Sequence, residues 1–231
     1  LSAVLLIIDK YIPFVKETIG QTVLPDWQQV QVSALEPEEI TPQAVRNADA
    51  LMVRTRTKIN RELLEGSGVR LVATATIGYD HIDQDYCRKT GIAWLSCPGC
   101  NAQAVCDYIE EALLEQKIPL NAKKIGIVGV GHVGTLVAQM AKRYGMQVLL
   151  NDPPRNIGVS LDEIAHNCDV ITFHTPLTRD GQYPTYHLCD EAFLQQCKPE
   201  ALIINAARGG VVDEMALLRT KHPCVIDTWE N

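Results

Sequence analysis

The chain has 231 residues, of which 46% are apolar and 21% are charged, and its formal net charge is −7. This size allows one large or two small domains with sizeable cores. The acidic balance, without any run of lysine or arginine, argues against nucleic-acid binding, which requires a basic patch. Eight cysteines are scattered along a chain that is too large to depend on disulfides. We therefore expect buried free thiols, Cys168 and Cys224 among them, in a cytoplasmic protein.

Short apolar runs alternate with helical patterns in the N-terminal part of the chain. The first run, residues 3–8, lacks a basic leader and is far shorter than the ~18 residues that a membrane span needs. It therefore predicts a buried strand and not a signal peptide. The predicted strands of this series are residues 3–8, 30–34, 50–53, 71–74 and 92–95. Strands that alternate with helices predict a parallel sheet with helices on both faces.

The pattern breaks at Cys97-Pro-Gly-Cys-Asn101, after which a helix is predicted from Ala102 to about Gln116. We place a domain boundary here, with residues 1–96 in one domain and residues 97–231, including the crossover helix, in a second. A different interpretation of this segment is a thioredoxin-like redox pair, because it follows a strand and opens a helix. A zinc site is not favoured, since neither a second such pair nor paired histidines complete a tetrahedron.

A glycine-rich turn follows the first strand of a second series. Residues 125–128 lead directly into Gly129-Val-Gly131-His-Val-Gly134, and an amphipathic helix comes next. In such a unit the first glycine allows a tight turn, the second lets the backbone approach a pyrophosphate, and the third lets the helix pack on the strand. The predicted strands of this series are residues 125–128, 147–150, 170–173, 202–205 and 224–226. The pattern predicts a dinucleotide site.

Asp152 follows the second strand of this series. Its carboxylate would accept hydrogen bonds from the adenosine ribose hydroxyls, and a 2′-phosphate there would meet a like charge. The spacing therefore predicts NAD as the cofactor and disfavours NADP.

The remaining strands of the second series end in polar residues, where ligands bind in doubly wound sheets. Thr175 lies in His174-Thr-Pro, Arg208 lies in the run Ala206-Ala207-Arg208-Gly-Gly, and Asp227 begins Asp-Thr-Trp. Arg208 is the sharpest candidate, because a guanidinium holds a carboxylate bidentately and the small residues around it leave room for a ligand. A structural ion pair at a turn is the alternative.

Eight stretches together resemble the D-isomer-specific 2-hydroxyacid dehydrogenases, and the resemblance runs over nearly the whole chain. They are residues 50–55, 74–83, 98–105, 126–134, 152–155, 173–181, 205–213 and 227–230. The resemblance implies two doubly wound parallel-sheet α/β domains: a flavodoxin-like substrate-binding domain, whose C-terminal part is missing here, and a Rossmann NAD-binding domain. Two of these stretches, Asp-Pro-Pro-Arg and Thr-Pro-Leu-Thr-Arg-Asp-Gly, resemble one branch of the family more narrowly. Members of that branch oxidise 4-phospho-D-erythronate at C2 in pyridoxal 5′-phosphate biosynthesis.

The resemblance also implies roles for single residues and a homodimer. Arg208 would bind the substrate carboxylate and the oxygen being oxidised, and Thr55 and Thr76 would bind substrate from the other domain. Arg54 and Arg56 flank Thr55 and could neutralise a substrate phosphate, although solvated surface arginines are equally expected there. The residues implied to contact NAD are Gly129, Gly131, Gly134, Asp152, Thr175, Ala206, Ala207, Arg208 and Asp227.

The family's acid–base histidine and the glutamate behind it would come after Asn231. We expect His174 to line the cleft and His187 and His222 to be surface or loop residues. One hypothesis is therefore that the printed sequence omits residues of the real polypeptide. The alternatives are a dehydrogenase for another D-2-hydroxy acid, such as glycerate or phosphoglycerate, and a non-catalytic NAD-binding homologue. The resemblance implies neither nucleic acid, membrane nor metal as a partner.

Overall fold

A computed structural model describes residues 4–13, 30–117 and 119–230. The chain divides into two compact units, Leu1–Cys100 and Asn101–Asn231. The division thus lies between residues 100 and 101, slightly beyond the position suggested by the sequence. Each unit contains its own sheet.

The first unit contains a five-stranded parallel sheet in the order β2-β1-β3-β4-β5, which is the flavodoxin-like order. Its strands are β1 (Val4–Asp9), β2 (Val30–Leu35), β3 (Ala50–Val53), β4 (Leu71–Thr74) and β5 (Ala93–Leu95). The α-helices among its described residues are α1 (Pro42–Val45), α2 (Arg61–Leu64) and α3 (Gln84–Thr90). All five strands were predicted, with shifts of one residue at some ends.

Side-chain caps explain where the helices of the first unit begin. The side chains of Thr41, Asn60 and Asp83 each accept a hydrogen bond from the backbone N–H three residues later, which satisfies a donor that the first turn leaves free. Gly91 ends α3 with a φ of 74°, a conformation that favours glycine.

The second unit contains a six-stranded sheet in the order β11-β10-β9-β6-β7-β8. Its strands are β6 (Lys124–Val128), β7 (Gln147–Asp152), β8 (Ile157–Gly158), β9 (Val170–Phe173), β10 (Leu202–Asn205) and β11 (Cys224–Ile226). Its helices are α4 (Ala102–Glu115), α5 (His132–Arg143), α6 (Leu161–Asn167), α7 (Glu191–Gln196) and α8 (Glu214–Thr220). This is the Rossmann order, with its topological switch point between β6 and β9.

The sequence did not predict β8, a two-residue strand that runs antiparallel to β7. Two residues are too short for a period to be recognised. A Cβ on Gly158 would lie 1.8 Å from the Leu150 carbonyl oxygen. Glycine is therefore required where β8 approaches β7.

The central strands are buried on both faces. Ile171 and Phe173 of β9 pack in a cluster with residues of α6 and α7, whereas Val170 packs in a second cluster with residues of α4 and α5. Alternate side chains of one strand thus enter opposite layers, and this explains the continuous apolar runs of β9 and β10.

The burial of the cysteines was predicted only in part. Cys168 is fully buried, as expected, but Cys224 is exposed because β11 is the edge strand of its sheet. Cys97 and Cys100 are exposed as well. Within the described residues, no helix is both long and apolar enough to span a bilayer.

Candidate functional site

The glycine turn after β6 is shaped by two glycines that the fold itself requires. Gly129 has a φ of +92°, and a Cβ on it would lie 2.7 Å from the His174 carbonyl oxygen. A Cβ on Gly134 would lie 2.0 Å from the Gly129 carbonyl oxygen. The turn therefore passes close to the end of β9, and α5 packs close to the turn.

Gly131 differs from its two neighbours, because a Cβ on it would meet no atom within 4 Å. Its φ of −79° is also accessible to any residue. The described part of the fold thus gives no steric reason for a glycine here. Open space beside the backbone is what a pyrophosphate needs in order to approach this turn.

Gly131 is also the N-cap of α5, and no side chain caps this helix end. The first turn carries no acidic residue. The free N–H groups and the positive end of the helix dipole consequently remain available to an anion at this twelve-residue helix.

Asp152, at the end of β7, is held against the same turn. Its Oδ2 accepts a hydrogen bond of 2.8 Å from the Val130 N–H. Arg155 donates a hydrogen bond from Nη1 to the carbonyl oxygen of Val130. The side chains of Asp152 and Arg155 thus bind the backbone N–H and the backbone carbonyl of the same residue. No role for Arg155 was predictable from the sequence, because only the tertiary fold brings it back to the glycine turn.

The end of β9 supplies buried polar atoms beside the glycine turn. The Thr175 Oγ1 is buried and has no hydrogen-bond partner among the described residues, and its Cγ2 would lie 3.0 Å from a Cβ on Gly129. A hydroxyl that lacks a partner at this position fits a ligand in the turn, since buried polar groups are ordinarily hydrogen-bonded. Thr175 therefore offers a buried, unpartnered hydroxyl beside the glycine turn.

His174 follows β9 directly and is half-buried. Its Nε2 lies 3.0 Å from the Thr172 Oγ1, and burial lowers the pKa of the imidazole to about 4. The ring is therefore neutral near pH 7. A group with so low a pKa is a weak general base, because the best catalytic pKa is near the working pH.

The loop after β10 is held by the side chain of Asn205. Its Nδ2 donates to the Arg208 carbonyl oxygen at 2.9 Å, and its Oδ1 accepts from the Ala207 N–H at 3.2 Å. The guanidinium of Arg208 donates from Nη1 to the Ala207 carbonyl oxygen at 2.9 Å. Hydrogen bonds therefore hold the backbone of the turn formed by residues 206–208. The sequence did not predict that the Asn205 side chain stabilises this turn.

The segment after β11 packs against this loop. The Asp227 N–H donates to the Asn205 carbonyl oxygen at 2.9 Å, while the Asp227 residue itself is exposed. A Cβ on Gly209 would lie 2.1 Å from the Trp229 carbonyl oxygen. Asp227 therefore lies beside the Arg208 loop, at the carboxyl edge of the same sheet.

His187 lies in the loop after β9, as expected, and contacts both of these segments. Its N–H donates to the Gly210 carbonyl oxygen at 2.7 Å, and its Nε2 lies 2.9 Å from Oε2 of Glu230. The hydrogen bond from His187 lowers the pKa of Glu230 below its usual value. His222 lies in the loop between α8 and β11, as expected, and is buried there.

In the first unit, Thr55 and Thr76 follow the adjacent strands β3 and β4, in which Val53 pairs with Thr74. Thr55 is exposed. The Thr76 hydroxyl lies 2.6 Å from the Thr74 hydroxyl and donates to the Gly78 carbonyl oxygen at 2.9 Å. The two threonines consequently lie at the same edge of their sheet.

Of the two arginines that flank Thr55, Arg56 forms an exposed ion pair with Glu38, with 2.7 Å between Nη2 and Oε1. Arg54 is exposed. Across the described ranges, no group of three or more histidine, cysteine, aspartate or glutamate residues is placed to hold a metal ion.

The family model for the NAD-binding domain of D-isomer specific 2-hydroxyacid dehydrogenases matches residues 105–223. The chain belongs to this family of NAD-dependent dehydrogenases. The cofactor is therefore NAD, as the glycine turn and Asp152 predicted, and the α/β fold with a Rossmann domain is confirmed.

Two relatives are named erythronate-4-phosphate dehydrogenase. The one from Bacteroides fragilis is 46% identical over 97% of this chain and 67% of its own length. The one from Hydrogenovibrio crunogenus is 42% identical over 98% of this chain and 61% of its own length. The chain spans about two thirds of the length of these relatives.

Solved structures show the same fold. D-lactate dehydrogenase from Aquifex aeolicus, complexed with NAD and lactic acid, is 25% identical and has a TM-score of 0.76 over 98% of this chain and 77% of its own. The NAD-bound 3-phosphoglycerate dehydrogenase of Entamoeba histolytica is 24% identical and has a TM-score of 0.81 over 98% of this chain and 80% of its own. The second likeness concerns the fold alone.

Proposed function

We propose that this protein oxidises 4-phospho-D-erythronate at C2, with NAD as the hydride acceptor, as a step of pyridoxal 5′-phosphate biosynthesis. The observation that carries the proposal is the likeness to relatives of that name, which extends over 97% of this chain at 46% identity. We further propose that the protein is a cytoplasmic homodimer, as the family resemblance implies.

NAD binding rests on groups in the second unit. The α5 N terminus and the open side of Gly131 receive the pyrophosphate, and Asp152 accepts hydrogen bonds from the adenosine ribose. Thr175 offers its unpartnered hydroxyl. Ala206, Ala207 and Asp227 line the neighbouring strand ends. NAD itself supplies the hydride acceptor, and these residues hold and orient it.

Arg208 is proposed to bind the substrate carboxylate and the C2 oxygen. As hydride leaves C2, the hydroxyl becomes a carbonyl, and a fixed cation beside that oxygen stabilises the developing charge. The hydrogen bonds from the Asn205 side chain hold the backbone of this loop, so the loop needs little reorganisation during the reaction. The resemblance gives proton removal to a histidine backed by a glutamate beyond Glu230, and the low pKa of His174 agrees with this.

The first unit is proposed to be the substrate-binding domain, and the second the NAD-binding domain. Thr55 and Thr76 would bind the substrate from the carboxyl edge of the first sheet, with the Thr76 hydroxyl as an acceptor because it already donates to the Gly78 carbonyl oxygen. Arg54 is the better candidate for the substrate phosphate, because Arg56 already pairs with Glu38. A phosphate would have to displace that carboxylate before it could engage Arg56.

A substrate panel tests the proposal through formation of NADH at 340 nm. We expect 4-phospho-D-erythronate to give a kcat/KM well above the values for D-erythronate, D-glycerate and 3-phosphoglycerate. Preference for glycerate or 3-phosphoglycerate would identify a dehydrogenase for another 2-hydroxy acid. NAD binding without turnover of any of these acids would indicate a non-catalytic homologue.

Two variants test the role of Arg208. Arg208→Lys keeps the charge but loses bidentate binding, and Arg208→Gln loses both. We expect Arg208→Gln to lower kcat/KM by roughly 100-fold or more, the loss typical when a group that stabilises the developing oxyanion is removed, with Arg208→Lys intermediate. Unchanged NAD affinity is the control, because the implied contact of Arg208 with NAD is through its backbone, which both variants keep. A Lys variant as active as wild type would contradict the bidentate role.

A further inference from the structure

Cys97 and Cys100 form an exposed pair that the proposed function does not use. Cys97 lies two residues after β5, and Cys100 is followed by Asn101, the N-cap of α4. The boundary between the two compact units falls directly after Cys100. The two thiols are thus accessible to solvent at the segment that connects the units.

The backbone between them forms a tight turn. The Cys100 N–H donates to the Cys97 carbonyl oxygen at 3.2 Å, and Gly99 has a φ of +81°. Proline at the second position and a positive φ at the third define a type II β-turn, whose end Cα atoms lie less than about 7 Å apart. Disulfides join Cα atoms that are roughly 4.4–6.8 Å apart, so a turn of this type can bring two cysteines into the range that a disulfide needs.

The other six cysteines are less suited to oxidation. Burial raises the pKa of Cys168 to about 11 and that of Cys197 to about 12. Burial also raises the pKa of Cys87, Cys106 and Cys189. Partial desolvation of the sulfur raises the pKa of Cys224 as well, although that residue as a whole is exposed. Because the thiolate is the reactive form, these six thiols react slowly with oxidants.

We propose that Cys97 and Cys100 are a site of reversible disulfide formation, with a low-molecular-weight disulfide such as oxidised glutathione as the oxidant. The thiolate of one cysteine attacks the oxidant, breaks its sulfur–sulfur bond and releases one glutathione. The thiolate of the second cysteine then attacks the mixed disulfide and releases the other glutathione. The two cysteines lose two electrons and two protons, which convert oxidised glutathione into two molecules of its thiol.

The small size of the ring makes the bond reversible. Only Pro98 and Gly99 separate the two cysteines, so closure removes little entropy from the unfolded chain. Exposed disulfides are also readily reached by reducing thiols, which is typical of labile bonds. We therefore expect a disulfide that follows the redox poise and adds little to thermal stability.

The test equilibrates the full chain with mixtures of reduced and oxidised glutathione, quenches it with acid, alkylates free thiols and maps the peptides by mass spectrometry. We expect the peptide with Cys97 and Cys100 to lose two hydrogen atoms as the mixture becomes oxidising, and dithiothreitol to restore them. Cys97→Ser and Cys100→Ser should each leave the remaining cysteine as a glutathione mixed disulfide.

Cys224→Ser is the matched control, because Cys224 is exposed but has no cysteine close in sequence. This variant should form the Cys97–Cys100 disulfide like wild type. Full alkylation of both cysteines in every mixture would overturn the proposal. A disulfide between Cys100 and any of the other six cysteines, still present in Cys97→Ser, would also overturn it. Circular dichroism of each variant confirms that the substitution leaves the fold intact.

Discussion

Replacing Gly131 or Gly134 by alanine separates the glycine needed by the ligand from the glycine needed by the fold. A methyl group at position 134 would lie 2.0 Å from the Gly129 carbonyl oxygen, whereas one at position 131 would meet no atom within 4 Å. The same chemical change is thus made twice in one turn, and only the surroundings differ. Each variant serves as the control for the other.

The expected magnitudes follow from this difference. To relieve the clash at position 134, α5 must move away from the turn, and overpacking of this kind costs about 1–3 kcal/mol. Since 1 kcal/mol shifts Tm by roughly 2–4 °C in a chain of this size, we expect Gly134→Ala to lower Tm by about 2–12 °C. Gly131→Ala should leave Tm unchanged or slightly raised, because alanine restricts the unfolded chain.

NAD affinity should fall more in Gly131→Ala than in Gly134→Ala, which is the opposite of the order expected for Tm. A methyl group on Gly131 occupies the space proposed for the pyrophosphate, and we expect NAD to bind about tenfold more weakly or worse, a loss of roughly 1.4 kcal/mol or more. Scanning calorimetry of the NAD-free protein gives Tm, and titration calorimetry gives Kd. Wild-type affinity in Gly131→Ala would refute the placement of the pyrophosphate, and an unchanged Tm in Gly134→Ala would refute the packing argument.

Three further predictions concern charge around the site. Asp152→Asn should reduce the ratio of the Kd for NADP to the Kd for NAD by about tenfold or more, because a 2′-phosphate would no longer meet a carboxylate. The amide oxygen can still accept the hydrogen bond from the Val130 N–H. An unchanged ratio of the two Kd values would contradict the ribose contact. Because burial depresses the pKa of His174 to about 4, the unfolded state binds the proton more readily between pH 6.5 and 4. Stability should therefore fall by about 3 kcal/mol over this window. In denaturant titrations His174→Asn should show a shallower fall, and an equal fall would contradict the buried neutral ring. The lowered pKa of Glu230 contributes stability that is present above its ordinary value of 4.5 and is lost as the pH falls below it. The Tm difference between wild type and Glu230→Gln should thus shrink in acid, and a constant difference from pH 6 to pH 3.5 would argue against the pair with His187.

Much of the fold was predictable because its strands are strongly patterned. The buried runs that became β9 and β10 gave the correct bounds, and the spacing from Gly129 to Asp152 gave the cofactor. The two-residue β8 was missed, because it has no period and depends on the approach of Gly158 to Leu150. Cys224 was wrongly expected to be buried, because an apolar run does not show which strand lies at the sheet edge.

The candidate site was predictable at strand ends but not between loops. Thr175, Arg208 and Asp227 each lie within three residues of the end of a strand, so parallel topology brings them to one edge of the second sheet. The roles of Arg155 and His187 depend on loops that return across the sheet, to Val130 and to Gly210 respectively. The spacing of residues along the chain does not predict such contacts.

Hydride transfer from C2 is the central claim, and an isotope label tests it most directly. The full-length protein is incubated with NAD and 4-phospho-D-erythronate that carries deuterium at C2, and the reduced cofactor is isolated for mass spectrometry. The account predicts one deuterium on the nicotinamide ring for each substrate molecule oxidised. Reduced cofactor without deuterium, or no reduced cofactor from this substrate, would contradict it.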